Sequence, residues 1–197
     1  QELRDRNYEK FMSLWGPYYN LQYSLCFFRD PAYLFRDLPV LKNNVFDVVF
    51  ILPGISGGVG GIQVVIDLCN SLIERGIKSM VLVVGTGSID SLREYQEKLL
   101  FCPVFLSGAE ELYKTKITAK IVLGTLFITA VMGQKFAKIC NARYFNFVQG
   151  YEPYFSNAVF YQQAIDSYGL AEKNITISKW LETKIKDLNP EFETNTI

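Results

Sequence analysis

From Phe46 onward the chain alternates short apolar, β-branched runs with longer segments of helical period. The runs cover residues 47–52 (DVVFIL), 78–85 (KSMVLVVG), 102–106 (CPVFL), 119–125 (AKIVLGT), 142–150 (ARYFNFVQG) and 174–178 (NITIS). Strands that are apolar almost throughout must be covered on both faces, and strands separated by helical crossovers run parallel. The pattern therefore predicts an α/β fold: a doubly wound, mostly parallel Rossmann-like sheet with helices on both faces.

The intervening segments carry helix signals. Residues 61–76 place Val64, Val65, Leu68, Leu72 and Ile73 on one stripe and end at Gly76, a natural C-cap. Ser88 or Asp90 can cap a helix over residues 89–100, and two more helices are expected over 126–140 and 156–170. Ser178 caps a last one over 179–188, which stops before Pro190.

Residues 1–44 differ in character, being crowded with aromatics and interrupted by Pro17, Pro31 and Pro39, which rules out one long helix. An N-terminal arm packed on the domain of residues 45–197 is the first reading of this segment. A membrane-surface segment is the second. At 197 residues, 49% hydrophobic and 20% charged, the chain suits one domain with a real core.

Lys plus Arg and Asp plus Glu both number 20, so there is no basic footprint for nucleic acid. The absence of histidine excludes His-type zinc sites and His-based triads within this chain, and no metal site is expected. Cys26, Cys69, Cys102 and Cys140 are widely spaced and read as free thiols of a reducing compartment. The expectation is a cytoplasmic protein, with the inner membrane face as the surface an amphipathic arm would meet. The longest apolar run, residues 121–133, is too short to span a bilayer. Nothing in the sequence points to an oligomeric state.

Five glycines fall within residues 51–68 (ILPGISGGVGGIQVVIDL), at the first strand-to-helix junction. Such a junction lies at the carboxyl edge of the sheet, where open α/β sheets bind ligands. The dinucleotide fingerprint fails, because Gln63 stands where its third glycine should be and no acid ends the second strand. A P-loop is absent too, so no tightly bound cofactor is expected. What remains is a loop whose backbone N–H groups, at a helix N-terminus, can face an anion. A tight turn without a ligand is the alternative.

Residues 50–85 (FILPGISGGVGGIQVVIDLCNSLIERGIKSMVLVVG) resemble the opening of the N-terminal domain of family 4 GT-B glycosyltransferases, with Ile77 in place of a usual histidine. Residues 144–181 (YFNFVQGYEPYFSNAVFYQQAIDSYGLAEKNITISKWL) resemble a segment of the branch that includes rhamnosyltransferases of surface polysaccharide assembly. Residues 121–136 are similar to that branch's T…TA strand-to-helix turn.

The resemblance implies the acceptor-side domain of an enzyme that transfers rhamnose or another hexose from a nucleotide-diphosphate sugar to a glycan acceptor. The donor would be held mainly by a second, C-terminal domain, without which the fragment would be inactive. It implies that amides of Gly57, Gly58, Gly60 and Gly61 approach the donor diphosphate, with Gln63 in the first helical turn. Thr125, Gln149, Tyr151 and Tyr154 would line the cleft, and Glu152 is the catalytic candidate. The histidine that many family 4 members place in this domain has no counterpart here.

Three other readings stay open. A receiver-like module fits the sheet pattern but lacks acids after the first strand. A non-catalytic carbohydrate-binding or scaffold domain would stack sugar on Tyr151, Tyr154 and Phe155. A GT-B sugar-nucleotide epimerase would need no acceptor.

Overall fold

The computed structural model describes residues 45–55, 59–87, 95, 99–101 and 103–197. The expected N-terminal arm, Gly57, Gly58, Cys26, Cys102 and most of the helix expected over 89–100 lie outside the described residues.

Seven strands form one sheet in the order β3-β2-β1-β4-β5-β6-β7, and every neighbouring pair is parallel. They are β1 (Val45–Ile55), β2 (Ser79–Gly87), β3 (Val104–Leu106), β4 (Thr118–Gly124), β5 (Arg143–Val148), β6 (Lys173–Thr176) and β7 (Thr194–Thr196). Among the described residues five helices connect them: α1 (Gly60–Glu74), α2 (Ala109–Lys114), α3 (Phe127–Cys140), α4 (Tyr161–Tyr168) and α5 (Lys179–Leu188). The chain leaves β1 toward β2 on one side and leaves β4 toward β5 on the other. With right-handed crossovers, α1 covers one face and α3, α4 and α5 the other. This is the doubly wound Rossmann-like architecture that the alternating pattern predicts.

The core follows from strand composition. Val49, Phe50 and Ile51 in β1, and Met80, Leu82 and Val83 in β2, are fully buried, as central parallel strands require. On α1 the buried residues are Ile62, Val65, Ile66, Cys69 and Ile73, whereas Val64 faces solvent. The expected stripe was therefore rotated: the spacing 62, 65/66, 69, 73 meets the sheet, and Val64 falls on the opposite side of the turn.

Gly76 ends α1 at φ +79°, donating to the Ile73 carbonyl at 2.9 Å while Ile77 N–H reaches the Leu72 carbonyl at 3.0 Å. That pair of bonds is a Schellman cap, whose left-handed residue favours glycine. Ser178 caps α5, its Oγ accepting from the Leu181 N–H at 3.3 Å.

Several boundaries differ from the sequence reading. The fifth strand stops at Val148 rather than Gly150, and residues 151–155 turn through a short 3-10 helix, Glu152–Tyr154. Helix α4 starts only at Tyr161, since Asn157 Oδ1 takes the N–H groups of Val159 and Phe160 and holds a turn there. Two elements escaped the pattern: α2, of six residues, and the edge strand β7, of three. Cys69 is a buried free thiol and Cys140 a partly buried one. Among the described residues no helix is long and apolar enough to cross a membrane.

Candidate functional site

The carboxyl ends of β1, β4 and β5 converge on a cavity of about 610 Å³. It lies at the switch point of the sheet, between the strands whose connections depart in opposite directions, where open α/β sheets leave a crevice. Its walls are Leu52, Pro53, Gly54 and Ile55 from the end of β1, Val59, Gly61 and Ile62 from the start of α1, Thr125 and Leu126 after β4, and Gln149, Gly150, Glu152 and Phe155 after β5.

Four of the residues singled out from the sequence meet in this lining: Gly61, Thr125, Gln149 and Glu152. Gly61 and Gln149 fit one another, because a Cβ on Gly61 would lie 3.3 Å from Gln149 Oε1. Thr125 is buried, and its hydroxyl donates to the Ile51 carbonyl at 2.9 Å, joining the ends of β4 and β1.

The turn after β4 is organised by Thr129. Its Oγ1 accepts the N–H groups of Thr125 at 3.2 Å and Leu126 at 3.1 Å, and donates to the Leu126 carbonyl at 2.8 Å. The T…TA turn is thus a hydroxyl that satisfies backbone donors left open before α3.

Glu152 occupies the far wall, only 4% exposed. Its Oε2 accepts the N–H of Phe127, the first residue of α3, at 2.6 Å. The helix N-terminus favours negative charge there, yet burial dominates and pushes the carboxyl up to about 8. Glu152 is therefore a buried acid poised near neutrality, the kind of perturbed group that clusters at functional sites. Tyr168, fully buried on α4, accepts the backbone N–H of Glu152 on its phenolic oxygen at 3.3 Å. Burial, together with the Glu152 charge, raises the Tyr168 phenol.

Behind the site a buried polar chain fixes β5, β6 and α4 to one another. The Tyr144 hydroxyl donates to Asn146 Oδ1, and Asn146 Nδ2 donates to the Ser167 carbonyl at 2.8 Å and Asn174 Oδ1 at 3.1 Å. Asn174 Nδ2 then donates to the Tyr168 carbonyl at 3.0 Å. A satisfied network of this kind locks relative positions in a core.

The remaining sequence candidates lie elsewhere. Gly60 has open space where a Cβ would stand, and Gln63 donates to Asp67 Oδ1 along α1 at 2.7 Å. Tyr151 is buried outside the lining and meets Tyr154 edge-on at 4.7 Å and Trp180 at 6.2 Å. Tyr154 is 69% exposed. Phe155, which the resemblance did not assign to the cleft, lines the cavity while remaining 71% exposed. Among the described residues no cluster of acids and cysteines could hold a metal ion.

The fold and the crevice define a Rossmann-like α/β domain with a ligand-sized cavity at its switch point. Two solved structures share that fold with a TM-score of 0.54 each. One is the apo form of the lipopolysaccharide outer core galactosyltransferase WaaB, 13% identical, with the match covering 76% of this chain and 44% of that one. The other is Anabaena Alr3699/HepE in complex with UDP and glucose, 12% identical, covering 77% of this chain and 44% of that one. The likeness supports the GT-B type of domain fold, and the chain spans less than half of either protein. No family model matches the sequence, and no curated protein matches it either.

Proposed function

We propose that residues 45–197 are the acceptor-side domain of a GT-B glycosyltransferase of the family 4 type. The reaction would move rhamnose or another hexose from a nucleotide-diphosphate sugar to a glycan acceptor in polysaccharide assembly. The observation that carries this reading is the buried, neutral-range carboxyl of Glu152 in the wall of the switch-point cavity.

In the transfer, the bond between the anomeric carbon and the diphosphate oxygen breaks, its electron pair leaving on the diphosphate. A new bond forms from the acceptor oxygen, whose proton must go elsewhere. With inversion, ionised Glu152 would take that proton, and a base whose pKa lies near the working pH suits the task. With retention, the leaving phosphate would take it and Glu152 would hold the acceptor hydroxyl in place. The N-terminus of α1, with Gly61 in the lining, would present amides to the diphosphate. On this reading turnover needs a second, donor-holding domain.

The two structures that share the fold support this reading by what they are: one is a galactosyltransferase, the other was crystallised with UDP and glucose. A non-catalytic carbohydrate-binding domain is the second reading, favoured by the exposed rings of Tyr154 and Phe155. The two differ in their need for nucleotide. Incubating the native full-length protein with nucleotide sugars and oligosaccharide acceptors, and following product mass, should reveal sugar transfer in the wild type and none with Glu152→Gln. Sugar binding that never consumes a nucleotide sugar favours the second reading.

A further inference from the structure

Most of the cavity wall is hydrocarbon, contributed by Leu52, Ile55, Val59, Ile62, Leu126 and Phe155. Polar groups face it at few points. The Thr125 hydroxyl proton is committed to the Ile51 carbonyl, so Thr125 can only accept, and Gln149 and Glu152 are the other side chains of the described lining able to bond a ligand. On Glu152 only Oε2 is taken, by Phe127, and among the described residues no second donor reaches the carboxyl.

Charge narrows the ligand further. Glu152 is the only ionisable residue in the described lining. On the proposed reading the donor diphosphate takes the amides at the start of α1, so an acceptor bearing its own phosphate or carboxylate would meet the Glu152 acid with no lysine or arginine in the described lining to offset it.

The apolar wall also continues outward, because Phe155 lines the cavity and yet is 71% exposed, reaching from it into solvent. A ring in that place offers flat apolar surface to a ligand that leaves the cavity mouth.

We infer that this cavity takes a neutral glycoside with an apolar aglycone, its reacting hydroxyl at Glu152 and its aglycone along Phe155. The inference deepens the glycosyltransferase reading, on which it rests, by naming the acceptor class: a sugar attached to an apolar carrier rather than a free or anionic glycan. The carrier adds affinity because its apolar area leaves water against the Phe155 ring.

The test uses the native full-length protein, titrated by calorimetry with octyl β-glucoside below its micelle concentration, with glucose and with octyl phosphate. Saturable binding of octyl β-glucoside, with glucose and octyl phosphate at least about tenfold weaker, is expected. Phe155→Ser should weaken the glucoside by about ten- to hundredfold, and Phe155→Tyr should restore it. Since Phe155 is largely exposed, neither change endangers folding.

Equal binding of glucose, tighter binding of octyl phosphate, no saturable binding of the glucoside, or unchanged affinity in Phe155→Ser would each overturn the inference. A parallel transfer assay separates the two claims. Transfer to a free oligosaccharide by a protein that ignores octyl β-glucoside overturns the inference and leaves the glycosyltransferase standing. Binding of octyl β-glucoside without any transfer leaves the cavity assignment and removes the enzyme.

Discussion

The carboxylate oxygen Oε2 of Glu152 lies 2.6 Å from the backbone nitrogen of Phe127, tying the loop after β5 to the first turn of α3. One residue thus closes the cavity wall and satisfies a helix end. The two roles separate experimentally, because a glutamine can still accept the Phe127 N–H but cannot ionise.

The first expectation concerns pH. Burial holds the Glu152 carboxyl up to about 8 in the fold against an ordinary value of 4.5, with the Phe127 N–H opposing the rise; the phenols of Tyr144 and Tyr168, themselves raised by burial and by the Glu152 charge, face it. A raised acid is protonated in the fold while the unfolded chain has already released its proton. Its contribution is therefore complete below about 4.5 and is lost as pH rises toward about 8. Urea unfolding across that window should show stability falling by at most about 1.4 kcal/mol per pH unit from this group. In Glu152→Gln this fall should vanish; a slope identical to wild type would mean that the carboxyl is not buried as described.

Thr129→Val should destabilise by about 2–4 kcal/mol, because the N–H groups of Thr125 and Leu126 both lose their acceptor at a buried position. Thr129→Ser keeps the hydroxyl and should recover most of the loss. Chemical denaturation of the two variants decides the point, and equal stabilities would show that the methyl group matters rather than the hydrogen bonds.

Gly124 leaves room for a ring. A Cβ there would stand 2.3 Å from the Tyr144 hydroxyl oxygen, and Gly133 presses the same ring, its own Cβ position lying 2.8 Å from Tyr144 Cε2. Gly124→Ala should therefore cost about 1–3 kcal/mol through overpacking. Combined with Tyr144→Phe, which removes the clashing oxygen, it should cost less than the sum of the single changes. A double-mutant cycle measures this, and strict additivity would contradict the contact.

At the other edge of the sheet, Glu182 accepts Lys179 Nζ at 2.9 Å, Thr196 Oγ1 at 2.7 Å and Lys186 Nζ at 3.0 Å. These partners, Lys179 first, lower its carboxyl to about 2. A depressed acid contributes above its unfolded pKa of about 4.5 and loses that contribution as pH falls toward about 2. Glu182→Gln should weaken the hold of α5 on β7 at neutral pH and flatten the acid limb of the unfolding curve. Circular dichroism followed as pH falls from about 5 to about 2 would test it, and an acid limb unchanged from wild type would contradict the contact.

Helix ends and strand centres were legible in the sequence because their causes are local. Gly76 and Ser178 act through bonds to residues within five positions, and apolar runs such as 47–52 can only be central strands of a covered sheet. The strand β7 was not legible: its residues, Thr194–Thr196, have no apolar run and form a strand because β6 offers them an open edge. The site divided in the same way. Strand-end topology pointed to Thr125, Gln149 and Glu152, but the 3-10 turn at Glu152–Tyr154 decided that Phe155 lines the cavity and that Tyr151 is buried away from it.

By itself, then, the sequence determined the alternation of elements, the parallel sheet and the position of the glycine-rich junction, since each rests on side chains a few residues apart. Only the tertiary structure decided that Glu152 would be a buried acid. Its burial and its bond to Phe127, separated by 25 positions, exist only once β4 and β5 lie side by side. Desolvation is a property of everything packed around a group, so no local pattern encodes it.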